Sequence, residues 1–182
     1  MPILSDDEMI RRAGGLRWIL SDVDGVLTDG GLTYDRRGAA SLTFDVKDGM
    51  GLKLAQRAGL QVGLLSSRSS DAAERRAAEL GLDGVHLGIE DKGAWLDRFL
   101  DRQRLAAREI AYIGDDLADL VVLGRCGLAF APADAVAEVK AVADRVLDAR
   151  GGRGAVREMV ERILRARGDW ERVLAPFTFE RR

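Results

Sequence analysis

The feature that most restricts the fold is an alternation of two kinds of segment. Short apolar runs at 16–21, 61–65, 85–87, 110–113, 128–130 and 145–147 are separated by helix-like stretches at 48–58, 70–80, 92–100, 117–123 and 133–142. In the stretch from Lys92, for example, Trp95, Leu96, Phe99 and Leu100 fall on one stripe. Strand, helix, strand repeated in this way satisfies its backbone as a parallel sheet with helices over both faces. The expected class is therefore α/β, a doubly wound, Rossmann-like and mostly parallel sheet.

Three regions stand outside the alternation. Leu32-Thr33-Tyr34 and Ser41-Leu42-Thr43-Phe44, separated by the turn-prone Asp35-Arg36-Arg37-Gly38, predict a β-hairpin flap after the first strand. Ser5-Asp6-Asp7-Glu8 matches a helix capping box, and Gly14-Gly15 stops the short, peripheral helix it would open. After Gly151-Gly152-Arg153-Gly154, the residues Val156, Met159, Val160, Ile163 and Leu164 recur at helical spacing, a pattern favouring a core face over a subunit contact. Residues 169–182 show no periodicity and are expected to be loosely ordered, which leaves the contribution of Trp170, Phe177 and Phe179 open. We read 1–182 as a single domain with 151–182 as its C-terminal tail and helix. The interval between Gly25 and Lys92 is too short for a full cap domain.

The 182 residues suffice for one ordinary core, with 47% hydrophobic and 32% charged residues. A net charge of −2 gives no general pull toward nucleic acid or an anionic membrane. No run is long enough to span a bilayer, and no signal-peptide pattern opens the chain. Cys126 stands alone, which fits a reducing, cytoplasmic setting. His86 is the only histidine, which excludes multi-histidine zinc sites. Its neighbours Val85 and Leu87 read as strand and no Gly-x-Ser-x-Gly elbow is present, so His86 reads as a structural residue and carboxylates must carry any catalysis.

Loops at the carboxyl ends of strands in a doubly wound sheet converge on one crevice. The first strand ends on Asp22-Val23-Asp24-Gly25, the second on Ser66-Ser67-Arg68, a later helix opens at Lys92, and the run 110–113 leads into Gly114-Asp115-Asp116 and Asp119. Each is ordinary alone, as an acidic turn, a helix cap or a solvated lysine; in this order they form one set. A carboxylate cluster needs a cation, and hard oxygen ligands with open positions suit Mg²⁺, whose remaining ligands are commonly phosphate oxygens. Lys92 can neutralise phosphate and Ser66 can hydrogen-bond to it, and a carboxylate can attack phosphorus. These are the parts of phosphoryl transfer.

On these residues the chain resembles the haloacid dehalogenase superfamily of phosphatases. Leu27-Thr28-Asp29-Gly30, Phe44-Asp45-Val46-Lys47-Asp48-Gly49 and Gly151-Gly152-Arg153-Gly154-Ala155-Val156-Arg157-Glu158 narrow the resemblance to its capless branch acting on 3-deoxy-D-manno-octulosonate 8-phosphate, a lipopolysaccharide precursor. The likeness runs from about Leu16 to about Leu164. It implies that Asp22 is the nucleophile and Asp24 the general acid, then base. It implies Mg²⁺ held by the Asp22 carboxylate, the Asp24 main-chain carbonyl and Asp115, with Asp116 and Asp119 orienting the metal shell and Lys92. Sugar contacts would come from Asp45, Val46, Lys47, Asp48, Gly49, Lys53, Arg68 and Arg76. Arg153, on a glycine-rich tail, would reach a neighbouring subunit of a homotetramer, so removing the chain from Gly151 onward should lower activity more than stability. The usual Thr-Gly-Arg of the second motif is here Ser66-Ser67-Arg68, which keeps the hydroxyl but removes a glycine and leaves nine-carbon sialic-type sugar acid phosphates as alternative substrates. A receiver-type phosphoacceptor also groups acids, a hydroxyl and a lysine around Mg²⁺. Asp24 has no task in a device that keeps its phosphoryl group.

Overall fold

The computed structural model describes residues 4–36, 38 and 40–178. In chain order these form α1 (Asp6–Gly14), β1 (Trp18–Ser21), β2 (Thr33–Tyr34), β3 (Ala40–Ser41), α2 (Val46–Arg57), β4 (Gln61–Leu65), α3 (Asp71–Leu80) and β5 (Gly84–His86). Then come α4 (Lys92–Gln103), β6 (Ile110–Ile113), α5 (Leu120–Leu123), β7 (Leu128–Ala131), α6 (Ala137–Val142), β8 (Arg145–Val146), α7 (Ala155–Ala166) and α8 (Trp170–Leu174). The helix starts carry their own caps: Ser5, Asp45, Ser70 and Asp91 each accept a backbone N–H from the first turn of α1, α2, α3 and α4. Gly81 ends α3 in the left-handed region, where a side chain would be strained.

Six strands form one parallel sheet in the order β5-β4-β1-β6-β7-β8. β1 lies at its centre, with Trp18 level with Gln61 on one side and Ile110 on the other. Alternation along the strands divides the core into two layers. Ile19, Val62, Leu64, Ala111 and Ile113 pack with α1, α2 and α7, whereas Trp18, Leu20, Leu65 and Tyr112 pack with Trp95, Leu96, Phe99, Val122 and Val139 from α4 to α6. From β1 the chain winds outward to β4 and β5, then crosses back to β6, β7 and β8. That reversal at β1 opens a crevice at the carboxyl ends of β1 and its neighbours. Among the described residues no cap domain stands over it, and no helix is long and apolar enough to cross a membrane.

Several expectations need correction. The hairpin is shorter than expected: β2 and β3 pair only through Thr33–Ser41 and Tyr34–Ala40, Leu42 to Phe44 are not strand, and Arg37 lies outside the described residues. The stretch 117–123 divides into a 3₁₀ turn at Leu117–Asp119 and then α5, because the Asp116 and Asp119 side chains bind backbone N–H groups there. Helix α2 starts two residues earlier than expected, at Val46, because Asp45 caps it. The first helix is not peripheral, since Met9 and Ala13 are buried and Arg12 reaches Asp144 at 3.3 Å. Nor is 169–182 loosely ordered where it is described. Trp170 and Val173 of α8 are buried in the core, Arg165 lies 4.6 Å from the Trp170 ring, and Arg57 lies 4.9 Å from the Phe177 ring. Phe179 falls outside the described residues.

Candidate active site

The carboxyl end of β1 sets the first acid. The Asp22 N–H donates to the Ile113 carbonyl at 3.0 Å, and the Ser21 hydroxyl donates to the Asp22 carbonyl at 2.6 Å, so the chain enters the crevice with little freedom. It then turns sharply through Gly25, φ 80°, tied by Thr28, whose hydroxyl oxygen accepts from the Gly25 and Gly30 N–H groups. A Cβ on Gly25 would lie 2.0 Å from Asp115 Oδ2, so only glycine admits the Asp115 carboxylate beside Asp22. Gly151 and Gly152 clamp the same loop from outside. A Cβ on Gly151 would lie 1.8 Å from the Gly25 carbonyl oxygen, and Gly152 N–H donates to the Val26 carbonyl at 2.8 Å.

The resulting crevice has a volume of about 400 Å³ and is lined by Asp22, Asp24, Ser66, Arg68, Lys92, Asp115, Asp116 and Asp119, among others. Lys92, at the first position of α4, is buried and donates to Asp22 Oδ1 at 2.9 Å and Asp119 Oδ1 at 2.6 Å. Asp119 Oδ2 accepts the N–H groups of Asp115 at 2.9 Å and Asp116 at 3.2 Å, which shapes the acidic loop. Asp116 closes its own turn on the Leu117 N–H at 2.7 Å. Arg68 Nη1 lies 3.3 Å from Asp24 Oδ2. Ser66 is buried at the end of β4, its N–H bound to the His86 carbonyl and its hydroxyl oxygen accepting the Arg68 N–H. Ser67 does not have a positive φ, so the missing glycine costs the loop no strain.

Oxygens of Asp22, Asp115 and Asp119 lie within 4.8 Å of one another. Burial, then the Asp119 charge, pushes the Asp22 carboxyl up to about 7 despite Lys92; burial, then Asp22 and Asp119, pushes Asp115 up to about 8. Asp24 Oδ1 and Asp115 Oδ1 are buried with no hydrogen-bond partner. Acceptors gathered at this density with a single buried lysine are short of positive charge. Hard oxygen donors facing an open crevice fit Mg²⁺.

These shifts have a definite sign. A carboxyl that keeps its proton to about pH 7 or 8 when folded but loses it near 3.8 when unfolded gives stability that fades as pH rises through the folded value. Bound Mg²⁺ must displace those protons. The rise in melting temperature caused by a fixed Mg²⁺ concentration is therefore expected to be larger at pH 8 than at pH 6, as thermal unfolding with and without the ion would measure. An equal rise at both values would count against Asp22 and Asp115 as ligands.

The other sequence-predicted contacts lie elsewhere. Asp45 caps α2, accepting the Lys47 N–H at 2.7 Å, and Val46 and Lys47 are exposed. Asp48 is fully buried and accepts the N–H groups of Gly154 and Arg157, which caps the start of α7. Gly49 makes room for Arg76, whose Nη2 would be 2.3 Å from an added Cβ. Lys53 Nζ donates to Gln56 Oε1 and the Leu80 carbonyl. Arg153 is exposed, 3.6 Å from Asp29. None of these lines the crevice. His86 is half-buried, 4.6 Å from the Trp95 ring, and burial holds its pKa down, so it takes no part in the acidic cluster. The sequence marks Thr28 as part of a motif without a role for its hydroxyl and leaves Tyr112 unmarked, although a tyrosine inside an otherwise apolar buried strand signals a hydroxyl in need of a partner.

A family described as haloacid dehalogenase-like hydrolase matches residues 85–159. The 3-deoxy-D-manno-octulosonate 8-phosphate phosphatase of Haemophilus influenzae is 42% identical over 160 residues, 88% of this chain and 89% of that protein. A crystal structure of the Moraxella catarrhalis enzyme of that name, in complex with magnesium, phosphate and KDO, superposes with a TM-score of 0.91 at 33% identity, covering 94% of this chain and 99% of that one. A cobalt-bound structure from H. influenzae, a deoxy-D-mannose-octulosonate 8-phosphate phosphatase, gives 0.82 at 43% identity over 86% and 92%. The chain belongs to the haloacid dehalogenase-like hydrolases. Within them, its similarity over most of its length is to the 3-deoxy-D-manno-octulosonate 8-phosphate phosphatases.

Proposed function

We propose that this protein is a Mg²⁺-dependent phosphomonoesterase that releases phosphate from 3-deoxy-D-manno-octulosonate 8-phosphate, a step in lipopolysaccharide precursor synthesis. The observation carrying this reading is the buried Asp22–Lys92–Asp119 chain beside Asp115 at the switch point of the sheet. The names and bound ligands of relatives similar over most of the chain support the substrate. Asp22, the Asp24 carbonyl and Asp115 would hold Mg²⁺, which supplies charge to draw phosphate oxygens toward Asp22.

Asp22 attacks phosphorus, forming a carboxylate oxygen–phosphorus bond as the ester oxygen–phosphorus bond breaks. Asp24, two residues on in the same loop, gives its proton to the departing sugar alkoxide. It then takes a proton from the water that attacks the aspartyl phosphate, which frees phosphate and restores Asp22. Ser66 offers its hydroxyl to phosphate and Lys92 neutralises the developing charge, while Asp116 and Asp119 hold the loop and the lysine. Arg68, at the crevice wall, faces the sugar carboxylate. Asp45, Val46, Lys47 and Arg153 serve the crevice of a neighbouring copy in a cytoplasmic homotetramer, and Asp48, Gly49, Lys53 and Arg76 shape that surface from beneath. We read 1–182 as one capless domain.

A phosphate-release screen over sugar acid phosphates, with Mg²⁺ and with chelator, tests the reading. Release is expected from the eight-carbon compound only with the ion present. Preference for a nine-carbon sialic-type phosphate would move the substrate assignment, and no release from any of them would overturn the function.

A further inference from the structure

The proposed chemistry makes no use of one fully buried ionisable group. Tyr112, the third residue of β6, has no exposed surface, and its ring packs in the layer that holds Trp18, Leu20, Leu96 and Phe99. Its hydroxyl nevertheless reaches the acidic cluster, donating to Asp119 Oδ1 at 2.6 Å and accepting from Lys92 Nζ at 3.2 Å. A lysine ammonium has three donors. Here Asp22, Asp119 and Tyr112 take all three, at 2.9, 2.6 and 3.2 Å.

We propose that Tyr112 is a positioning residue, whose phenolic oxygen holds the Lys92 ammonium in the one orientation that spans Asp22 and Asp119. The inference deepens the phosphatase reading above and rests on it for the meaning of kcat. Without the hydroxyl, a buried ammonium keeps only two acceptors and can swing about its four-carbon stem toward either carboxylate or the crevice. Asp119 would lose a neutral donor at the oxygen it shares with Lys92. Both changes fall on Asp22, whose aim at phosphorus depends on what holds its other side. Burial and the charges of Asp119 and Asp22 push the phenol well above its ordinary pKa, so it stays protonated and able to donate.

Tyr112→Phe keeps the ring and its packing, so it tests the hydroxyl alone. With Mg²⁺ present, kcat is expected to fall about 10- to 100-fold, the scale of a misplaced reacting group, while KM stays within about twofold. In a Lys92→Ala background the same change is expected to add little, because Tyr112 acts through that lysine. A kcat within about twofold of wild type, or an equal loss in the Lys92→Ala background, would overturn the proposal. Nitrogen NMR of lysine ammonium groups gives a readout independent of turnover. The resonance assigned to Lys92 by its disappearance in Lys92→Met should shift and exchange its protons faster in Tyr112→Phe. If wild type released no phosphate, the functional reading would fail, and this spectrum would decide for Tyr112: an unchanged Lys92 signal would overturn its role, a shifted one would support it.

Discussion

Replacing Asp22 with asparagine is expected to abolish phosphate release while leaving the fold intact. The amide has nearly the shape of the carboxylate but no anionic oxygen to bond to phosphorus. Loss of a covalent nucleophile can cost on the order of 10⁶ in kcat. Here the fall should reach the background of the assay. Stability should move the other way or not at all. The Asp22 carboxyl is pushed up to about 7, chiefly by burial and then by Asp119, so its charged form is unfavourable in the metal-free protein above that pH. Asparagine removes that charge, although Lys92 then keeps only Asp119 as an anionic partner. At pH 8 the metal-free variant should melt no lower than metal-free wild type, and thermal unfolding beside a phosphate assay checks both halves. Turnover near the wild-type rate would end the covalent scheme, and collapse of the fold would show that Asp22 is chiefly structural.

How much of this arrangement could be read in advance follows from the range of the interactions. Asp22 and Asp24 were legible because a strand ending in acids is a local pattern, and the switch-point rule says where such an end must point. Lys92, Ser66 and Asp115 were legible only as a set in strand-end order, since each alone is an ordinary surface or capping residue. Tyr112 was not legible as part of the cluster. Its neighbours Ile110, Ala111 and Ile113 are all apolar, and the partner of its hydroxyl, Asp119, is placed by the turn after the strand. Asp48 lay beyond reach for a different reason. Its partners Gly154 and Arg157 are more than a hundred residues away, so a position read as a substrate contact holds the start of a helix instead. From sequence, Gly151 and Gly152 belong to a glycine-rich tail expected to carry Arg153 toward a neighbouring subunit. In the fold they are close-approach glycines, because the Gly25 carbonyl and the Asp29 N–H occupy the space a Cβ would need. The order of 170–174 was hidden because a helix of five residues is too short to show a period.

The same close packing reverses the expectation for the C-terminal segment. Removal of the chain from Gly151 onward is expected to leave no cooperatively folded protein, rather than a stable protein of reduced activity. Val156, Met159, Val160, Ile163 and Leu164 of α7 are all fully buried between α1, α2 and the sheet. At about 1.5–3 kcal/mol for each such side chain, their burial contributes on the order of 10 kcal/mol. That is comparable with the whole stability of a typical domain, about 5–15 kcal/mol. Trp170 and Val173 add to the loss, and deletion would uncover the face of α2 that packs against α7. The polar side is as unforgiving. Asp48, with no exposed surface, would lose both its N–H partners, and Asp134 would lose the Gly151 N–H at 2.9 Å and the end of the loop that Arg150 precedes. Circular dichroism melting of the truncated chain should show no transition. A cooperative melt close to that of the full chain would refute α7 as core and restore 151–182 as a detachable tail. A milder variant then separates the two roles the segment could play. Arg153→Ala removes an exposed side chain whose ion-pair partner, Asp29, is itself exposed, so it should leave the melt unchanged, and a fall in phosphate release greater than that of Asp29→Ala would support the proposed reach of Arg153 into another copy.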